Sequence, residues 1–147
     1  MEVWLATGFG IGRVAPFAPG TFGSVLGLPL AWALNGLAPV AHALALAALC
    51  VSAAWIAQRA ERALGHHDPS SIVVDEVCGM AIALAGHPLD ATGMALGFAA
   101  FRFLDIWKPW PIRALDRGVA GGLGTVLDDV AAGLGANLLL YLVAWLI

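Results

Sequence analysis

The sequence predicts an all-α protein, a compact helical bundle embedded in a membrane, with about five apolar helices and its polar loops on one side. Three observations predict it. Hydrophobic residues make up 61% of the chain and charged residues 12%, whereas soluble domains carry about 45–50% and about 25%. The mean hydropathy of +0.86 points the same way. The apolar residues fall into runs divided by turn signals, and the cations collect between alternate runs. With 147 residues, one domain covering 1–147 is expected.

The N-terminus, MEVWLATGFGIGR, lacks a basic leading stretch, and its apolar part is broken by glycines, so no cleavable signal is expected. The first apolar helix runs from about 22 to 34 and contains Gly23, Gly27 and Pro29, which would make it short, bent or re-entrant. The second runs from about 37 to 57, roughly the 20 residues a bilayer core needs. It continues through 58–64, where Arg59, Glu61 and Arg62 would lie outside the lipid. The third, near 72–85, and the fourth, near 91–104, are short for spans, at about 21 Å each. The fifth runs from about 126 to 147. Asn35-Gly36 with Pro39, and the segment Gly86-His87-Pro88-Leu89-Asp90, make the turns between helices one and two and between three and four. Longer polar connections are expected at about 58–71 and 105–125.

Five alternating helices bring Arg13, Arg59, Arg62, Arg102, Lys108, Arg113 and Arg117 to one side, and the opposite turns carry no Lys or Arg. The positive-inside rule assigns that side to the cytoplasm. Most of the acids join them there. Asp75 and Glu76 open the third helix, Asp105 follows the fourth, and Asp128 and Asp129 open the fifth, while Asp90 lies opposite. Acids at helix N-termini complement the helix dipole. Two such pairs plus Asp105 on one face repel one another, and a hard divalent cation relieves that repulsion. Carboxylate and water ligands suit Mg²⁺, Mn²⁺ or Ca²⁺, and Mg²⁺ typically leaves positions open for substrate phosphate. His66-His67 reads as a solvated loop pair, and Cys50 and Cys78 as small buried thiols.

The same face carries groups suited to phosphate. The stretch GRVAPFAPGTFGS, 12–24, leads into a helix through Thr21 and Ser24 and would offer N–H groups and hydroxyls to an anion. It is not a Walker loop, since no G-K-[ST] follows. Arg102, Lys108 and Arg113 are interleaved with Trp107 and Trp110, cations for a phosphate beside rings suited to the headgroup layer. Acids for a metal, bases for a phosphate and a bilayer alongside point to metal-assisted phosphoryl transfer on a lipid headgroup. The metal would polarise a phosphoryl oxygen and activate a water, and a carboxylate would orient or deprotonate that water. A net charge of −3 speaks against a nucleic-acid partner.

Four blocks stand in a telling order: APGTFGS at 18–24, DEVCGM at 75–80, FRFLDIWKPWPI at 101–112 and GGLGTVLDDVAAG at 121–133. In them the chain resembles the phosphatidylglycerophosphatase A family, from about 8 to about 136. The resemblance implies an all-helical, multi-pass protein of the bacterial inner membrane. It implies hydrolysis of phosphatidylglycerophosphate to phosphatidylglycerol and inorganic phosphate, with Mg²⁺, and the one-sided cations put that site on the side facing the cytoplasm. Block by block, the acidic positions are Asp75, Glu76, Asp105, Asp128 and Asp129, the basic ones Arg102 and Lys108, and Asp116 fits the stretch after KPWPI. Thr125-Val126 departs conservatively from the Ile-Met expected before the aspartates.

The expected site therefore has Asp75, Glu76, Asp128 and Asp129 as catalytic acids, the same four with Asp105 around Mg²⁺, and Thr21, Ser24, Arg102, Lys108 and Arg113 on the substrate phosphate. The expected partners are a phospholipid substrate and the membrane, with the oligomeric state open. The alternatives are a cation-coupled transporter or channel subunit with acids lining an ion site, a scaffold whose acids only cap helices, and a phosphatase for another lipid or isoprenoid phosphate. An ion path needs polar groups through the outer half, where the sequence offers little beyond Asn35, His42, His87, Asp90 and Asn137.

Overall fold

The computed structural model describes residues 1–15, 17–65 and 69–146; the His66-His67 pair lies outside the described residues. These residues form helices joined by turns, with no strand among them. Five helices correspond to the apolar runs: α3 (Pro19–Asn35), α4 (Pro39–Leu64), α5 (Val74–Ala83), α6 (Ala91–Trp107) and α8 (Gly122–Leu146). Three short ones were not anticipated: α1 (Glu2–Ala6), α2 (Ile11–Val14) and α7 (Ile112–Gly118).

Local chemistry sets the ends. Pro19 and Pro39 sit in the first turns of α3 and α4, where a missing N–H costs nothing. Gly65, at φ +80°, closes α4 in the left-handed conformation that glycine tolerates. Asp90 caps α6 by accepting the Gly93 N–H at 2.7 Å, which accounts for the acid standing apart from the others.

About five apolar helices were expected in the membrane, three of them short; two are of membrane length. Among the described residues, only α4 and α8 are long and apolar enough to cross a bilayer, with peak mean hydropathies of 2.0 and 1.6. The 17 residues of α3 and of α6 reach about 25 Å, and the 10 of α5 about 15 Å, against a hydrocarbon core of about 30 Å. The apolar run of α5 serves the protein interior: Cys78, Met80, Ala81 and Ala83 are all buried. That helix lies in the middle, packed on α3, α4, α6 and α8.

Close packing on α5 depends on small residues. A Cβ on Gly133 of α8 would collide with the Gly79 carbonyl, and one on Gly79 would lie 2.5 Å from the Phe101 ring. Around this contact Met80, Leu84, Phe101, Ala132, Ala136 and Leu140 form one apolar cluster. A second joins α1, α4, α5 and α8 through Ala6, Ala53, Ala57, Cys78 and Val126.

The two ends of the bundle differ. At one end, side-chain amides satisfy the carbonyls that α5 leaves open. Asn137 donates to Ile82, Ala83 and Ala85 at 3.1, 3.2 and 2.8 Å. Asn35 donates to Leu84 and His87 at 3.1 Å each and accepts from the Gly86 N–H. These bonds place the C-terminus of α3 beside that of α5. At the other end, the Gln58 side chain accepts the Gly122 N–H at 3.2 Å, and the N-termini of α3, α5 and α8 meet the C-termini of α4 and α6.

Candidate active site

At that second end, one cavity of about 230 Å³ is lined by Asp75, Glu76, Arg102, Asp105, Lys108, Asp128 and Asp129. Separate elements supply them. Asp75 and Glu76 lie in the first turn of α5, where the helix N-terminus favours negative charge. Arg102 and Asp105 come from the last turns of α6, and Lys108 caps it. Asp128 and Asp129 come from α8, which starts at Gly122 and not near 126. The aspartate pair therefore lies well inside the helix and does not open it. The glycine-rich lead 122–124 is helical because it packs against α4: a Cβ on Gly122 would strike the Gln58 backbone.

Three carboxylates converge. One oxygen from each of Asp75, Glu76 and Asp129 lies within 4.8 Å of the other two. Asp105 and Asp128 are engaged by cations. Arg102 Nη1 donates to Asp105 at 2.5 Å. Lys108 Nζ donates to Asp128 at 2.5 Å and to Asp116 at 2.6 Å. Burial works against the Lys108 ammonium, yet its bonds to Asp116 and Asp128 hold its pKa above the ordinary lysine value. Burial pushes the Glu76 carboxyl above its usual range, opposed by hydrogen bonding with Asp75 and reinforced by the Asp105 charge.

Two backbone features make room for this arrangement. Lys108 adopts φ +45°, a left-handed conformation rare for a residue with a side chain. It ends α6 there while its ammonium reaches the cavity. Gly20, in the first turn of α3, leaves the space that Glu76 and Arg102 occupy: a Cβ there would collide with the Glu76 carboxylate and lie 3.0 Å from Arg102 Nη1.

Thr21, Ser24 and Arg113 do not line this cavity. The Ser24 hydroxyl is buried and donates to the Gly20 carbonyl of its own helix at 2.8 Å. Thr21 follows the two α3 residues that do line it, Pro19 and Gly20. Most of the stretch read as a phosphate loop is helical, in α2 and α3. Arg113 is exposed and bonds the Trp107 carbonyl at 3.4 Å.

Other residues gained a place that the sequence did not assign. Ser70 and Thr125 line the cavity. Thr125 donates to Glu61 at 2.5 Å, and Glu61, read as a solvated helix end, is only 5% exposed. No local signal links residues 64 positions apart. Asp116, noted only through the family resemblance, shares Lys108 with Asp128.

The donor set fits a hard divalent cation. Five carboxylates face two cations around the cavity. Glu76 Oε2, Asp128 Oδ1 and Asp129 Oδ2 are buried without a hydrogen-bond partner among the described residues. Uncompensated carboxylate oxygens at this depth are costly, and all-oxygen ligands of this kind suit Mg²⁺.

The model of the family described as phosphatidylglycerophosphatase A matches residues 4–144 of this chain. The chain belongs to the phosphatidylglycerophosphatase A family. Membership makes it a phosphatase, a phosphoric monoester hydrolase. Phosphatidylglycerophosphatase A of Escherichia coli is 40% identical over 142 residues, 95% of this chain and 81% of the relative. The Haemophilus influenzae protein of the same name is 40% identical over 96% of this chain and 87% of its own length. A Bacteroides thetaiotaomicron protein, provisionally named a phosphatidylinositol-3-phosphatase, is 37% identical over all of this chain and 96% of its own. No solved structure matches the chain.

Proposed function

We propose that this phosphatidylglycerophosphatase A family member removes the terminal phosphate of phosphatidylglycerophosphate, yielding phosphatidylglycerol and inorganic phosphate. It works as a multi-pass protein of the bacterial inner membrane, with its site facing the cytoplasm. The observation that carries the reading is the convergence of Asp75, Glu76 and Asp129 beside Arg102 and Lys108 in one cavity, in a chain that aligns with two phosphatidylglycerophosphatases over nearly its whole length. Membrane embedding is supported by α4 and α8, which are only 11% and 28% buried over their most apolar stretches, and cytoplasmic orientation by the one-sided cations.

In this reading Asp75, Glu76 and Asp129 would hold Mg²⁺, with Asp105 and Asp128 beside them. When bound, the ion would polarise the phosphoryl group and lower the pKa of water. The chain's own residues do the rest. Arg102 and Lys108 neutralise the phosphoryl oxygens in a site shielded from bulk water. Lys108 exchanges part of its bonding to Asp128 for the substrate phosphate. Asp128, thus released and with Oδ1 already without a partner, holds the attacking water and takes its proton as the water oxygen bonds to phosphorus. The bond from phosphorus to the glycerol oxygen breaks, and that oxygen receives the proton Asp128 gained and leaves as a hydroxyl of phosphatidylglycerol. The acyl chains remain in the bilayer while the headgroup enters the cavity.

The transporter alternative is less well supported. At the end opposite the cavity, the Asn35 and Asn137 amides are committed to backbone carbonyls, which leaves them less to offer an ion. The provisional name of the third relative favours one second reading, hydrolysis of a phosphorylated inositol lipid. Phosphate release by the purified chain in detergent, from phosphatidylglycerophosphate and from phosphatidylinositol 3-phosphate, with Mg²⁺ or chelator, tests both. Mg²⁺-dependent release from the first lipid is expected. Preference for the inositol lipid would select the second reading, and release from neither would overturn both.

A further inference from the structure

A second recess lies next to the catalytic cavity and is chemically unlike it. It is a groove of about 530 Å³ lined by Trp107, Pro109, Trp110, Arg113, Ala114 and Arg117. No acid lines it. The carboxylate of α7, Asp116, is drawn to Lys108 on the cavity side, which leaves Arg113 and Arg117 as the only charges of the groove among the described residues. Both arginines are exposed.

Two features indicate what the groove takes. First, an apolar stripe leads to it. Phe103, Ile106, Trp107 and Trp110 are 57%, 72%, 60% and 84% exposed. Their spacing of three, four and seven puts the first three on one face of α6 and the fourth just past its end. Phe103 and Trp107 pack ring to ring at 5.3 Å. Such a stripe is costly in water and suits acyl chains. Second, the stripe ends in tryptophans and then arginines, the order in which a bilayer passes from chains to interface to phosphate. Guanidinium groups pair with phosphate oxygens in a two-pronged geometry that lysine lacks.

We infer that this groove binds the headgroup of an anionic phosphodiester lipid from the surrounding bilayer, with its chains lying along α6. This rests on the membrane reading above, but not on the phosphatase substrate. The lipid would hold the α6–α7 corner at the membrane surface beside the entrance to the cavity. Lys108 faces the cavity while its neighbours Trp107 and Pro109 line the groove, so the bound lipid would fix the level at which a substrate headgroup meets the site.

The test is binding, not turnover. The full chain in detergent would be titrated with dioleoyl phosphatidylmethanol, an anionic phosphodiester that is neither substrate nor product, and with dioleoyl phosphatidylcholine. Bound lipids would be counted by native mass spectrometry. Two cations at the surface should favour the anionic lipid by at least tenfold, at about fivefold each. The double variant R113Q/R117Q should lose that preference with helical content unchanged, Trp110→Ala should weaken binding of both lipids, and Asp129→Asn should keep the preference. Three results would each overturn the inference: equal binding of both lipids, a preference that survives in the double variant, or one that disappears with Asp129→Asn instead.

Discussion

Single atoms decide much of this site. Asp129 is almost fully buried, and its Oδ2 has no hydrogen-bond partner among the described residues. An amide of the same shape cannot bring the same charge to a cation. Asp129→Asn should lower phosphate release from phosphatidylglycerophosphate by about 10²-fold or more, and loss of less than tenfold in well-folded protein would remove this residue from the machinery. Gly20 offers an independent probe at the same scale. Its missing Cβ is the space that Glu76 and Arg102 share. Gly20→Ala adds a good helix former, so the fold should hold. Displacing the two functional groups should still cost about 10²-fold in rate, read as a drop in kcat with an unchanged far-ultraviolet helical signal.

At the level of elements, the contact between α5 and α8 carries the site, because it joins Asp75 and Glu76 to Asp129. It rests on Gly79 and Gly133, one against the other's backbone. Gly133→Ala would push the helices apart and should destabilise the protein by about 1–3 kcal/mol. Thermal unfolding in detergent would show it, and an unchanged midpoint would mean the helices separate at no cost. How far these elements could be read from the sequence depended on period and punctuation. Long apolar runs with Pro or Asn-Gly at their ends marked the five main helices. The acids and bases of the cavity were legible because alternation of those helices carried them to one end. The missed elements have physical reasons. The start of α8 is written in glycines that read locally as a turn and become helical only against α4. α7 is a short, charged helix inside a polar connection, held by Ile112 in the core. Thr21 and Ser24 had the right residue types, but Ser24's hydroxyl turned to its own helix. The burial of Glu61 depends on Thr125, which no nearby residue announces.

Across the whole molecule, charge is distributed as unevenly as hydrophobicity. One end closes α5 with neutral amide-to-carbonyl bonds from Asn35 and Asn137 and carries a single acid, the Asp90 cap, among the described residues. The other crowds five carboxylates around two cations. At separations of at most 4.8 Å and an effective dielectric near 20, each contact between two charged carboxylates costs roughly 3 kcal/mol or more. The fold tolerates this because α5, α6 and α8 are fixed from behind by the apolar cluster around Met80 and Phe101. Local repulsion is thus set against packing, and a bound cation should convert the first into a gain. For the wild-type chain in detergent, Mg²⁺ at 100 times its dissociation constant should add about 2.7 kcal/mol, a rise of roughly 5–10 °C in the unfolding midpoint over the same protein in chelator. Asp129→Asn removes one of the repelling charges together with one of the three converging ligands. In chelator this variant should unfold at or above the wild-type temperature, and in Mg²⁺ below it. That crossing separates a metal centre from a merely structural carboxylate cluster. Asp129→Asn lower by the same amount in both conditions would mean that the residue stabilises the fold through packing and that the cluster holds no ion.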